Sequence, residues 1–188
     1  MQPTPRGLTL RPSEPTDIGA IAAIYGRAVT EGVASFETEA PDEAEMSRRR
    51  DAILAGQFPY LVGCLGGRIA GYAYAGPYRA RPAYRGTVEN SVYVDAALQR
   101  RGVARALLLA LIEACGAGGF RQMVAVIGDS ANLASIRLHE SAGFAPVGTL
   151  RSVGWKHGRW LDTVLMQRAL GPGDTTPGGP PHPAARLA

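Results

Sequence analysis

Cysteine is scarce in this chain: Cys64 and Cys115 are the only two, each set in an apolar stretch. Two isolated cysteines in 188 residues exclude a disulfide framework and predict buried free thiols. Charge is sparse as well, at 19% of residues, with a formal net charge of +4 and a pI near 9.4. No dense Lys/Arg stripe accompanies that small excess, which argues against a nucleic-acid partner. The densest basic run, Arg48 to Arg50, lies among Asp and Glu and predicts a solvated helix face. Long apolar runs are missing too. No stretch approaches membrane-spanning length, and the opening MQPTPRGLTLRP lacks the apolar run of a signal peptide. The expectation is a cytoplasmic protein without a membrane partner. The commonest phosphate signatures are also absent: there is no GxxxxGK followed by Ser or Thr, and no GxGxxG after a strand.

What is present is a globular composition, 46% hydrophobic, in a chain long enough for one domain with a sizeable core. The last eighteen residues, GPGDTTPGGPPHPAARLA, hold nine Gly or Pro and too little apolar surface to offset their ordering entropy. The reading is a folded unit over 6–170 and a disordered tail over 171–188. LTLRP reads as a first strand. PTDIGAIAAIYGRAV places Ile18, Ile21, Ala22 and Tyr25 at helical spacing with Thr16 as N-cap. PDEAEMSRRRDAILAG reads as a second helix ending near Gly56. YLVGCL and RIAGYAYAG bracket Gly66-Gly67, the signature of a hairpin. GTVENSVYV is a further strand, followed by a helix from Gly102 to Cys115 and the strand QMVAVIG. A short helix, NLASIRLHESAG, closes at Gly143, and two strands, PVGTLRSVGWK and RWLDTVLMQRAL, turn through His157-Gly158. Strands and helices interleave, so the fold class is α/β, or α+β, around one central mixed sheet flanked by helices.

The junction VDAALQRRGVARALLLALIEA sets a basic turn before an apolar helix. A helix N-terminus exposes unpaired N–H groups and a partial positive charge, and a glycine there lets an anion approach the backbone. Gln99, Gly102 and Ala104 stand at QxxGxA spacing, with Arg100 and Arg101 between them. On its own the pattern fits an ordinary surface loop as readily as a phosphate cradle.

With a second strand–helix unit after it, VAVIGDSANLASIRLHESAGF, the junction resembles the pyrophosphate loop of the GNAT superfamily of acetyl-CoA-dependent N-acetyltransferases. That loop has the pattern Q/R-x-x-G-x-G/A. YAGPYRARPAYRGTVENSVYV, VAVIG, RLHESAGF and WKHGRW then resemble, in order and at matching spacings, the phosphinothricin and methionine sulfoximine acetyltransferases over residues 8–169. The resemblance implies the GNAT fold and acetyl-CoA as cosubstrate, with no metal. It implies acetylation of the α-amino group of a small amino-acid analogue such as phosphinothricin, methionine sulfoximine or methionine sulfone, an activity tied to antibiotic or herbicide resistance. It also implies a homodimer with a partner loop near the substrate cleft.

Residue by residue, the resemblance implies that the backbone of Val92, Tyr93 and Val94 binds the pantetheine and thioester. Arg100, Arg101, Gly102, Val103, Ala104 and Arg105 are expected to face the pyrophosphate, and Asn132 to contact the pantetheine arm. Glu89, ordinarily a solvent-facing strand residue, becomes the expected base that accepts the ammonium proton through water. His139 stands where many members carry a tyrosine, and is expected as a proton relay or a substrate contact; taken alone it reads as a buried histidine beside Phe144. His157 is expected to be structural. Substrate selection falls to GPYRARPAYRG. Arg79 and Arg81 supply guanidinium forks for a carboxylate and a second polar group, and Pro82 and Ala83 shape the loop. Tyr84 forms one wall and Phe36 the opposite one. Arg79 replaces a lysine found in some members, and GDSANLAS departs from the shortest family versions of that loop; both bear on specificity. The alternatives are an acetyltransferase acting on protein N-termini or another small amine, and a non-catalytic acyl-CoA-binding regulator with no need of Glu89 and His139.

Overall fold

The computed structural model describes residues 6–178, which fold around a seven-stranded sheet. Its strands are β1 (Leu8–Pro12), β2 (Tyr60–Leu65), β3 (Arg68–Pro77), β4 (Thr87–Val94), β5 (Gln122–Gly128), β6 (Ala145–Lys156) and β7 (Arg159–Ala169). They lie in the order β1-β2-β3-β4-β5-β7-β6, every neighbouring pair antiparallel except β4 and β5. The helices are α1 (Ile18–Thr30), α2 (Glu43–Ala55), α3 (Val103–Ala117) and α4 (Leu133–Ser141). The expected mixed sheet with interleaved helices is therefore the observed one. Among the described residues no helix is long and apolar enough to cross a membrane.

The period of two along β3 sorts residues by size onto the two faces. Ala73 and Ala75 join Leu107, Leu108 and Leu111 of α3 in one core, while Tyr72 and Tyr74 turn toward Ile21, Tyr25 and Val29 of α1 in the other. Small side chains bring α3 close. At Gly71 a Cβ would stand 2.6 Å from the Tyr93 carbonyl oxygen, so only glycine fits there. Opposite, Tyr60, Tyr72, Tyr74 and Tyr93 stack into an aromatic layer, with Tyr72 and Tyr93 centroids 5.3 Å apart. The Tyr72 hydroxyl is buried there with no hydrogen-bond partner among the described residues. Fully buried leucines such as Leu107 each contribute about 1.5–3 kcal/mol of hydrophobic stabilisation.

Four local expectations need correction. Thr16 is not the cap of α1. Pro15 opens a short 3-10 turn one step earlier, capped reciprocally by Glu14 and Asp17, and Asp17 stands at the α1 N-cap position. The Asp17 carboxylate is taken by Arg11, at 2.7 Å to both oxygens. Arg48 to Arg50 do not share one solvated face. Arg50 lies one helical turn beyond buried Met46 and is itself buried, bonding the Ser13 hydroxyl at 2.9 Å and its carbonyl at 2.6 Å. Cys115 is a buried free thiol pushed up to about 12 by burial, whereas Cys64, also free, is only half-buried. The segment 171–178 turns back on the domain: Arg121 donates to the carbonyls of Gly173 at 2.7 Å and Thr176 at 2.9 Å. The rest of the expected tail, 179–188, lies outside the described residues.

Candidate active site

β4 and β5 pair only from Thr87–Asn90 against Gln122–Ala125. Beyond Asn90, β4 remains on β3 as far as Val94 and β5 remains on β7 as far as Gly128, so the two strands part. The edge of Ser91–Val94 that faces β5 is left without a strand partner, and its polar groups must find other company. The gap holds a narrow cavity of ≈60 Å³ lined by Ser91, Val92, Tyr93, Val126, Ile127 and His139 among others. Tyr93 and Ala34 also line a groove of ≈810 Å³ along α1, which reaches Asp95 and Gln99 at the foot of the QRRGVA turn.

That turn has the backbone of an anion cradle. Arg100 (φ 60°) and Gly102 (φ 78°) are left-handed, and Gly102 is the N-cap of α3. The first helical hydrogen bond runs from the Ala106 N–H to the Gly102 carbonyl at 3.0 Å. The amides of Val103, Ala104 and Arg105 precede it and have no intrahelical acceptor. Val103 anchors the turn in the core, while Arg100, Arg101 and Gly102 are exposed and Ala104 and Arg105 half-buried. An unpaired strand edge ending beside these amides fits an elongated ligand with amide groups along its arm and phosphates at its end. Asn132 caps α4, its Oδ1 accepting from the Ser135 N–H at 3.2 Å, while Nδ2 points to the Gly128 carbonyl at 3.4 Å, at the end of β5. Among the described residues no group of three or more His, Cys, Asp or Glu is placed to hold a metal ion.

Strand alternation sends Glu89 and Ser91 toward the α1–α2 side, with Tyr93, and Asn90 toward α4. Glu89 is half-buried; burial raises its carboxyl above the ordinary carboxylate range, and the charge of Arg79 opposes the rise. His139 is buried on the other face, edge-on to Phe144 at 5.0 Å. Its Nδ1 donates to the Ser135 carbonyl at 2.8 Å, and Nε2 lies 3.1 Å from the Asn90 amide oxygen. Burial lowers the imidazole pKa, with the Ser135 carbonyl opposing. A half-turn of the Asn90 amide serves either protonation state: NH2 donates to a bare Nε2, and oxygen accepts from a protonated one. His139 lines the gap, whereas Glu89, still paired with Val124, lies on the opposite face just before the strands part.

The loop expected to select the substrate does not line the gap. Arg79, with its guanidinium carbon 5.0 Å over the Tyr78 ring, reaches Glu89 through its charge. Tyr84 sits edge-on to Tyr78 at 5.7 Å. Arg79, Arg81, Pro82 and Tyr84, with Phe58 and Phe120 beneath, line a separate hollow of ≈420 Å³ at the end of the sheet, and Ala83 borders another. None of these five lines the gap. Phe36 stands at its mouth, its ring against Gly128 and Gly154.

Sequence reasoning missed Asn90, Tyr74 and a network beneath the α1–α2 loop. The Tyr25 hydroxyl joins the Ser35 hydroxyl at 2.9 Å and donates to Glu37 at 2.8 Å, and Arg49 meets Glu37 at 2.6 Å. The Tyr74 phenol lies beside Ser91, and burial raises its pKa, with the Glu89 charge adding to the rise. Alternation along TVENSVYV was signal enough for Asn90; nothing local in SFETEAP announces the network.

Comparison with known proteins agrees with this geometry. The model of the acetyltransferase (GNAT) family matches residues 23–144. A phosphinothricin N-acetyltransferase of Alcaligenes faecalis is 51% identical over 168 residues, 89% of this chain and 85% of that protein. An L-methionine sulfoximine/L-methionine sulfone acetyltransferase of Salmonella typhimurium is 39% identical over 163 residues, 87% of this chain and 95% of that protein. The crystal structure of a GNAT superfamily phosphinothricin acetyltransferase from Sinorhizobium meliloti, in complex with acetyl-CoA, superposes with a TM-score of 0.89. It is 44% identical and covers 92% of this chain and 94% of its own.

Proposed function

Because the chain belongs to the GNAT acetyltransferase family, we propose that its acceptor is the α-amino group of a small amino-acid analogue of the phosphinothricin or methionine sulfoximine kind. The observation that carries the reading is Glu89, a half-buried carboxylate on the strand that parts from β5, with Arg79 in its field. Acetyl-CoA supplies the acetyl group as a thioester. The amine nitrogen attacks the thioester carbonyl, a C–N bond forms, the C–S bond breaks, and the nitrogen gives up a proton. Glu89 accepts that proton, directly or through one water, its raised pKa bringing it nearer to the amine's. His139 takes up a proton at Nε2, the ring nitrogen not tied to a backbone carbonyl, and passes it to the departing sulfur; the proton that Glu89 takes from the amine returns to solvent and keeps the balance. The free edge of Val92, Tyr93 and Val94 holds the pantetheine arm, and Asn132 borders it. The amides and side chains from Arg100 to Arg105 hold the diphosphate. Arg79 takes the acceptor carboxylate, with Arg81, Pro82, Ala83 and Tyr84 as the outer part of the same loop and Phe36 as the facing wall.

The protein acts in the cytoplasm as a homodimer, and its activity confers resistance to such analogues. The dimer reading rests on the exposed edge strand β6, where Val147, Leu150, Val153 and Trp155 stand in solvent beside exposed Trp160. Sedimentation of the whole chain decides the dimer. A thiol-release assay with acetyl-CoA against phosphinothricin, methionine sulfoximine, methionine sulfone and a peptide N-terminus tests the activity. Turnover on the amino-acid analogues, lost in Glu89→Gln, is the expected result; turnover on the peptide alone overturns the acceptor.

A further inference from the structure

Lys156 is the sole lysine of the chain; the other 19 of its 20 basic residues are arginines. It is not on the surface. Its side chain is buried, and Nζ donates to the Ser35 carbonyl at 2.7 Å, across 121 positions of sequence. The next residue, His157, brings Nε2 to 3.1 Å from the Gly32 carbonyl. Two residues before Lys156, at Gly154, a Cβ would overlap the Cε2–Cδ2 edge of Phe36. One short stretch, Gly154 to His157, therefore meets the α1–α2 loop at its start, at its middle and under its aromatic ring. A single ammonium can end on one carbonyl in a tight buried space; a guanidinium there would leave most of its five donors unmatched.

We propose that Gly154, Lys156 and His157 are positioning residues that seat the loop from Gly32 to Phe36, and so set how tightly the acceptor binds. None of them needs to touch the reacting atoms. Lys156 fixes the loop backbone beside Phe36, and the missing side chain of Gly154 lets the ring lie flat at the mouth of the gap. The role assigned to Phe36 rests on the proposed function; the seating itself rests on contacts alone.

Two measurements separate these layers. Amide hydrogen exchange over residues 31–37 is compared for the whole wild-type chain, Lys156→Met and Gly154→Ala. Seating predicts faster exchange there in both variants with other segments unchanged, and equal exchange overturns it. Steady-state kinetics on methionine sulfoximine follow. The expected result is an acceptor KM raised about tenfold or more in each variant, with the acetyl-CoA KM within about twofold. Pairing Gly154→Ala with Phe36→Leu is expected to recover part of the loss, since the clash is with the ring edge. Faster exchange with an unmoved acceptor KM overturns the link to acceptor binding while sparing the seat. A wild-type chain that acetylates none of the analogues defeats the proposed function and leaves exchange to decide the seating.

Discussion

His139 Nε2 and Asn90 Oδ1 stand 3.1 Å apart and tie α4 to the last residue of β4 that pairs with β5. The contact lies where β4 and β5 begin to part, so the imidazole is held at the apex of the gap and shielded from water. Burial lowers its pKa below the ordinary 6.5. In the interval below 6.5 the unfolded chain binds the proton that the folded chain refuses, so stability falls as pH drops into that interval and is unaffected above it. Chemical denaturation at about pH 7.5 and about pH 5 is expected to show this loss in the wild type. His139→Gln should flatten that part of the dependence.

Glu89 and Arg79 make a second pH prediction. As the proposed base, Glu89 must be ionised to take a proton, and burial raises its pKa while Arg79 holds the rise back. The acid limb of kcat/KM in the wild type therefore lies above the ordinary carboxylate range. Arg79→Met removes the opposing charge, so the limb moves to still higher pH in a profile taken with saturating acetyl-CoA. Glu89→Gln is expected to lower kcat by about 10²- to 10⁴-fold.

Gly102 is left-handed, with φ 78°, at the N-cap of α3. Gly102→Val forces a β-branched residue into that conformation, at a cost of about 1–3 kcal/mol. If the amides after it hold the diphosphate, the acetyl-CoA KM rises and the acceptor KM stays. Isothermal titration with CoA alone reads the same change without turnover.

Tyr72 supplies a prediction of gain. Its hydroxyl is buried without a partner among the described residues, a desolvation cost that nothing offsets. Tyr72→Phe keeps the ring stacked on Tyr60 and Tyr93 and removes the orphan. An increase of about 1 kcal/mol, or about 2–4 °C in Tm, is expected by calorimetry.

How much of this was legible in the chain depended on the range of the physics. Gly66-Gly67 and His157-Gly158 announced their hairpins because left-handed turns are a local demand; Gly102 marked a left-handed turn before α3, and only the resemblance made that turn an expected cradle. Alternation in TVENSVYV and the runs of Ile and Leu gave the strand and helices that carry the site. Arg50 was misread because its composition is that of a surface residue, while its position follows Met46 around the helix to Ser13. The Asn90–His139 contact spans 49 positions and Lys156–Ser35 spans 121, and no window of sequence weighs such pairs. Arg79, Arg81 and Tyr84 are neighbours in space as they are in sequence, but the loop that ends in the 3-10 turn at Pro82–Tyr84 gathers them around a hollow at the end of the sheet rather than at the gap.

The short parallel ladder between β4 and β5, four registered residues long, also has a mechanical meaning. It divides the sheet into two plates, β1 to β4 and β5 to β7, hinged along one brief seam. If the cosubstrate binds between them as proposed, it works as a shim that holds the two plates together. Part of its affinity is then read as stiffness, and saturating CoA should raise the melting temperature and quiet exchange on both sides of the seam together.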